Sequence, residues 1–315
     1  MMSSIKTMVP KIIHQTWKSE DLPDDYRMYR ATVEHHHPHW EHWLWTDEDN
    51  RSLIADNYAW FLPTYDGYRH SIERADAARY FILLHHGGVY IDLDMECLKP
   101  ADDLFARADL QFALLAGPKI DNTVISNAMM VARKGHPFFY YLTLRLPHII
   151  ERDVTYSDVL NNTGPDMLHR HVLLFNDVCR AQLIGLDHVC DRSILRDNPY
   201  LEESSIDAVR AQKQLSFIHH HSNVWNIQHP PPTKKIQGYD LFIDYDIYGH
   251  DIDYLEYAPD DYETIARATS ARADAVAFNY NGFIKGSGGT LASCAPNAWI
   301  KPGMRPWICV KKKTD

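Results

Sequence analysis

Apolar residues recur at helical spacing from His70 to His86, through Ile72, Ala75, Ala78, Ile82 and Leu83, with no Gly or Pro among them. The spacing predicts a helix that Gly87 stops. The next residues, Val89-Tyr-Ile-Asp-Leu-Asp94, form a short apolar run that closes on two carboxylates. A buried strand with an acidic end is predicted there. The same reading gives strands at Lys11 to His14 and His42 to Trp45, and helices around Asp25 to His37 and Asp47 to Asp56. Beyond the acidic pair it gives strands at Gln111 to Ala116 and Ala128 to Ala132, and helices at Pro137 to Ile150 and Met167 to Phe175. Strands and helices that alternate in this way predict an α/β sandwich with a mainly parallel sheet. Ligands of such sheets sit at the carboxyl ends of strands, where the acidic pair lies.

The alternation ends near Trp225, and His229-Pro-Pro-Pro-Thr-Lys-Lys235 follows. Three consecutive prolines continue neither a helix nor a central strand, so an extended linker is expected. The predicted organisation is a catalytic domain at 1–228, a Pro-rich linker at 229–236 and a small α+β accessory domain at 237–315. The last segment has a helical stretch at Tyr262 to Ala271, then short apolar runs separated by Gly-rich turns. It loosely resembles a PAN/apple module without its cysteines.

The 315 residues carry a formal charge of -10, which argues against a general binder of nucleic acid or anionic membranes. Five cysteines, an odd number without C-x-x-C spacing, suggest neither a disulfide framework nor a zinc ribbon. The N-terminal residues lack an apolar core of signal-peptide length, and no run of 18 apolar residues occurs. A cytoplasmic protein of a bacterium or a virus-infected cell is therefore the expectation.

Candidate chemistry centres on the acidic strand end. In extended chain, positions i and i+2 point to the same side, so Asp92 and Asp94 can reach one cation. Carboxylates and phosphates suit hard divalent ions such as Mn2+ and Mg2+. On the preceding helix Asp76 and Arg79 are three apart and so are neighbours. Either they form an ordinary ion pair, or Arg79 turns its fork of donors to a diphosphate while Asp76 accepts bonds from sugar hydroxyls.

Ser71-Ile-Glu-Arg-Ala-Asp-Ala-Ala-Arg79 followed by Gly87-Gly-Val-Tyr-Ile-Asp-Leu-Asp94 resembles the signature of the DXD-containing glycosyltransferases with a sugar-binding region. That family includes initiating α-1,6-mannosyltransferases and sphingolipid mannosyltransferases, and is distantly similar to glucosylating toxins. The resemblance implies a fold of the GT-A type, a Rossmann-like nucleotide-sugar-binding domain. It also implies roles for Asp76, Arg79, Tyr90, Asp92 and Asp94, whose spacings match. Val9-Pro-Lys-Ile-Ile-His-Gln-Thr-Trp17 resembles the family's opening strand, which places His14, Gln15, Thr16 and Trp17 at the donor. Phe217-Ile-His-His-His-Ser-Asn-Val-Trp225 is similar to the closing element, which makes His219 a metal ligand, His220 its alternative, Ser222 a weak ligand and Trp225 a donor contact. Ser126-Asn127 and Thr163-Gly-Pro-Asp166 resemble two further segments and bring Asn127 and Asp166 toward the sugar. A buried Asn bonded to backbone, and a Gly-Pro turn with a helix cap, are the plainer readings of those two.

The expected function is that of a metal-dependent hexosyltransferase using Mn2+ or Mg2+. It would carry a hexose from GDP-mannose or a UDP-hexose to a glycan or lipid-linked acceptor, with retention implied by the family. No residue stands out as an enzymic nucleophile, so a front-face route is expected. A toxin-like protein glycosyltransferase and a non-catalytic glycan-binding protein are the alternatives. A haloacid-dehalogenase phosphohydrolase fits less well, because Glu96 stands where its motif has Thr or Val.

Overall fold

The computed structural model describes residues 8–116, 123–149, 156–179, 181–191, 206–211, 213–220, 232, 234–243, 245–247, 251–254, 262–279, 283–287, 291–293 and 307–312. The chain divides into two units. The first holds Met1–Glu151 and Val159–Ser222, and the second Arg152–Asp158 and Asn223–Asp315.

The first half of the chain runs β1 (Ile12–Thr16), α1 (Asp24–His36), β2 (Glu41–Trp45), α2 (Asp47–Asn57), α3 (Leu62–Gly67), α4 (Ser71–His86), β3 (Gly88–Ile91), β4 (Met95–Cys97) and α5 (Asp102–Phe105). It continues with β5 (Leu110–Ala116), β6 (Thr123–Ala132), α6 (Pro137–Arg145), α7 (Tyr156–Asn162), α8 (Pro165–Cys179), β7 (Gln182–Ile184), β8 (Val189–Asp191), α9 (Ile206–Arg210) and β9 (Phe217–His219). The predicted α/β class is present. Six strands form the main sheet in the order β2-β1-β3-β6-β5-β7. Its β1–β2, β1–β3 and β5–β7 pairings are parallel, while β6 runs antiparallel to both neighbours. Helix α8 starts at Pro165 rather than at Met167, because a proline at the first helical position has no N–H to leave unbonded.

Strand alternation divides the core between the two sheet faces. Val89 and Ile91 join one cluster with Ile13, Val33, Phe105 and Phe217. Tyr90 points the other way, into a cluster with Phe81, Phe112, Phe138 and Leu168. Helix α4 crosses this second face and is buried along most of its circumference, from Asp76 to Leu84. The predicted amphipathic stripe misses this: Glu73 is buried, while Ile72 and Ala75 are only partly covered.

Gly87 and Gly88 make the turn from α4 into β3, with φ of 69° and 101°. A Cβ at Gly87 would lie 2.4 Å from the Lys134 backbone nitrogen, and one at Gly88 would lie 2.5 Å from the Ile12 carbonyl oxygen. Only glycine permits both the positive φ and this approach. The helix therefore returns directly onto its strand, which brings the start of α4 beside the carboxyl end of β3.

A second, three-stranded sheet, β4-β9-β8, follows the acidic turn. Met95 pairs with His219 and Cys97 with Phe217, so β9 is brought alongside the residues that follow Asp94.

The second unit contains a five-stranded sheet of β10 (Tyr239–Ile243), β12 (Asp251–Tyr254), β13 (Ala275–Asn279), β14 (Phe283–Gly286) and β16 (Trp307–Lys311), in the order β10-β16-β13-β14-β12 and antiparallel throughout. Strands β11 (Tyr245–Ile247) and β15 (Leu291–Ser293) pair separately. Helix α10 (Tyr262–Ala271) contributes Tyr262, Ile265 and Ala266 to a core with Phe278 and Trp307.

Candidate active site

The two carboxylates of the acidic motif converge by a turn rather than by strand alternation. Strand β3 ends at Ile91, and the Met95 amide donates to the Asp92 carbonyl at 3.1 Å, so Asp92 to Asp94 fold over before β4 begins. The extended-chain expectation is corrected in its geometry, although both side chains reach one place. Asp92, Asp94 and His219 offer ligand atoms that all lie within 4.8 Å of one another. His219 Nε2 stands 3.4 Å from Asp94 Oδ1.

Arg79 links this cluster to α4. Its Nη2 meets Asp76 Oδ1 at 2.9 Å, and its Nη1 meets Asp92 Oδ1 at 3.1 Å and donates to the Asn127 carbonyl at 3.0 Å. The guanidinium stacks 4.7 Å over the Tyr90 ring. Tyr90 in turn donates its hydroxyl proton to Asp92 at 2.9 Å and shares a 2.9 Å hydrogen bond with Thr16. Arg79 Nε is buried without a hydrogen-bond partner among the described residues. Asp76 accepts from Asn127 Nδ2 at 2.9 Å and from Thr163 Oγ1 at 3.3 Å.

Asp76 and Asp92 share the single guanidinium of Arg79 in a largely buried place, with Asp94 close to Asp92. Burial pushes the Asp76 carboxyl up to about 7, against the pull of Arg79. Burial also raises Asp92, again opposed by Arg79 and reinforced by the neighbouring Asp94. Unbalanced buried carboxylates are costly, and a bound cation relieves that cost. Two carboxylate oxygens and an imidazole fit Mn2+ or Mg2+, both of which leave positions for phosphate oxygens.

The opening strand behaves differently from its expected donor role. His14 is fully buried, its Nε2 bonded to the Gly87 carbonyl at 2.8 Å and its Nδ1 accepting from Trp45 Nε1 at 3.1 Å. With both nitrogens committed it holds the Gly-Gly turn and has nothing left to offer a donor. Gln15 is also fully buried, and its Oε1 accepts from Arg30 at 3.0 Å. Trp17 packs edge-on against Tyr26 at 5.0 Å. His14 pairs with Tyr90 through the backbone, and Thr16 meets the Tyr90 hydroxyl with its side chain.

His220 is likewise corrected as a ligand candidate. Its Nε2 meets Glu96 Oε2 at 2.9 Å and its ring stacks on Tyr29 at 4.2 Å, outside the Asp92, Asp94 and His219 set. Ser222 and Trp225 lie outside the described residues. Asp166 occupies the first turn of α8, partly exposed, and Thr163 is the residue of that segment that reaches Asp76. Two residues with no role expected from the sequence join this network: the Tyr80 hydroxyl donates to the Thr163 carbonyl at 2.7 Å, and Glu73 accepts from Asn162 at 3.2 Å. A carboxylate at position 73 with no apolar role was the available signal for the latter.

The acidic turn thus brings two carboxylates and an imidazole together beside a buried Asp–Arg pair on the α/β sheet. Residues 23–111 match the family described as glycosyltransferase sugar-binding region containing DXD motif. It is 40% identical over 164 residues to inositol phosphoceramide mannosyltransferase 3 of Schizosaccharomyces pombe, covering 52% of this chain and 44% of the relative. It is 42% identical over 159 residues to mannosyl phosphorylinositol ceramide synthase SUR1 of Saccharomyces cerevisiae, covering 50% and 40%. The chain thus spans less than half the length of these relatives. Among solved structures, the glycosyltransferase GlyE of Streptococcus pneumoniae aligns with a TM-score of 0.42 at 12% identity, over 68% of this chain and 55% of that one, a likeness too loose to carry weight.

These relatives overturn the cytoplasmic, bacterial or viral placement expected from the N-terminal residues. They are yeast enzymes named for a ceramide substrate, a membrane lipid. Among the described residues no helix is long and apolar enough to cross a membrane.

Proposed function

We propose that this chain is a metal-dependent hexosyltransferase that moves a hexose from GDP-mannose or a UDP-hexose to a hydroxyl of a glycan or lipid-linked acceptor, with retention of configuration. The observation that carries the reading is the junction of two clusters at Asp92: its carboxylate belongs to the Asp92, Asp94 and His219 set and to the Arg79–Asp76 network at once. Naming of the relatives for inositol phosphoceramide favours a lipid-linked acceptor over a protein.

Asp94, Asp92 and His219 would hold Mn2+ or Mg2+, which when bound supplies positive charge to a departing diphosphate. Arg79 adds a second positive charge there, and its unpartnered Nε is a donor awaiting an acceptor. Asp76 and Asn127 orient sugar hydroxyls, and Tyr90 and Thr16 fix the Asp92 carboxylate from behind. The first unit carries this chemistry, and the second is assigned as an accessory module.

The test is hydrolysis and transfer from a panel of UDP- and GDP-sugars, with and without Mn2+, by wild type and Asp94→Ala. Release of one nucleoside diphosphate that needs the metal and falls by about a thousandfold in the variant is expected, the equivalent of several kcal/mol of transition-state stabilisation. Turnover of no donor under any metal overturns the reading.

A further inference from the structure

His219 can act as a ligand only if β9 stays in one register beside the acidic turn, because a slip of one residue turns its side chain to the other face. Strand β9 lies between β4 and β8, and backbone pairing sets its register on both sides. Met95 pairs with His219, and beyond it the His220 amide donates to the Asp94 carbonyl at 2.9 Å. On its other side β9 pairs in parallel with β8, through Val189–Phe217, Cys190–Ile218 and Asp191–His219. All three strands are only three residues long, so side chains that tie β9 to its surroundings add to the backbone's hold. Glu96 alternates with Met95 along β4 and receives both Nε and Nη2 of Arg210, at 2.8 and 3.0 Å. It also meets His220 Nε2 at 2.9 Å, and the His220 ring lies flat on Tyr29 of α1, 4.2 Å between centroids with an 11° tilt. Glu96 and His220 are themselves buried.

We propose that Glu96, Arg210 and His220, with Tyr29 as backing, are positioning residues that hold β9 in the register which aims His219 at Asp94. The inference rests on the metal reading above and deepens it. It assigns the second histidine of the His219-His220 pair to the clamp and the first to the ion. One carboxylate joins three elements of the first unit: α9 through Arg210, the end of β9 through His220, and α1 through the Tyr29 ring under that histidine. Groups that orient a metal ligand from outside typically alter affinity by about 10- to 100-fold when removed.

The experiment measures Mn2+ binding directly, from the free-ion electron paramagnetic resonance signal, on the full chain with a nucleoside diphosphate present. Wild type, Glu96→Gln, His220→Leu, His220→Gln and His219→Gln are compared, and each variant's cooperative thermal unfolding is recorded in EDTA. Glu96→Gln and His220→Leu are expected to weaken Mn2+ binding by about tenfold or more while unfolding cooperatively. His220→Gln, which keeps a donor for Glu96, is expected to recover most of the affinity, and His219→Gln is not. Cooperatively folded Glu96→Gln and His220→Leu that bind Mn2+ within twofold of wild type overturn the clamp and leave the metal reading standing. Wild type that binds no Mn2+ overturns both. Should Glu96→Gln fail to fold, the pair of His220 variants decides, since only the clamp predicts that glutamine rescues and leucine does not.

Discussion

The two ends of the α4–β3 unit are built from similar materials and reach opposite outcomes. At the Gly-Gly end, His14, Trp43, Trp45 and His86 crowd together, with ring centroids 4.9 to 6.0 Å apart. His14 there has a partner for each nitrogen, and burial lowers its pKa to about 4, so it stays neutral. At the acidic end, Asp76 and Asp92 share one guanidinium, burial raises both carboxyls, and among the described residues the buried Arg79 Nε has no hydrogen-bond partner. His14 is saturated, whereas the two carboxylates that share Arg79 are not. What marks a site for a charged ligand is therefore the imbalance left in burial, more than the presence of ligand-type residues.

The sharpest way to break that contrast is to remove Arg79. Arg79→Gln leaves Asp76 and Asp92 buried without their cation, so urea unfolding in EDTA is expected to show a loss of about 3–5 kcal/mol. A loss below about 1 kcal/mol would mean that the carboxylates are not held charged against Arg79.

Asp76 gives a pH-dependent test of intermediate size. Its folded pKa, about 7, lies above the unfolded carboxylate value, so the folded protein holds this proton more tightly. Its contribution to stability is fully present below about pH 4 and is lost as pH rises through about 7. In metal-free protein, the unfolding free energy of wild type relative to Asp76→Asn should fall by a few kcal/mol across that window. A difference that is flat with pH would place Asp76 among ordinary paired carboxylates.

The smallest effect belongs to the saturated end. Trp45→Phe removes the donor to His14 Nδ1 and should cost about 1 kcal/mol in unfolding, with turnover of the donor sugar unchanged. Turnover that falls tenfold or more would return His14 to the donor site from which its hydrogen bonds exclude it.

The elements that local pattern specifies were legible in the sequence. Helix α4 announced itself by length and by its Gly stop, and β3 by an apolar run, because both signals lie within a few neighbouring residues. Asp76, Arg79, Asp92 and Asp94 were singled out by their resemblance to the family signature, with spacing alone leaving an ordinary ion pair open. What pattern could not give was set by tertiary contact. Helix α4 is covered on several sides, so its burial does not follow a single stripe. Asp92 and Asp94 meet through a turn that strand periodicity does not describe. In the T-G-P segment the hydroxyl of Thr163, and not the carboxylate of Asp166, faces Asp76, a choice fixed by the Tyr80 hydroxyl holding the Thr163 carbonyl. His219 and His220 are chemically identical in sequence, and Glu96, far from them in the chain, separates their roles.

Calorimetric titration of the sugar nucleotide in Mn2+ and in EDTA decides whether the acidic end is a joint site for a metal and a nucleoside diphosphate sugar. One site is expected, whose binding appears with Mn2+, vanishes in EDTA and is lost in Asp94→Ala. Binding of equal strength in EDTA would contradict it.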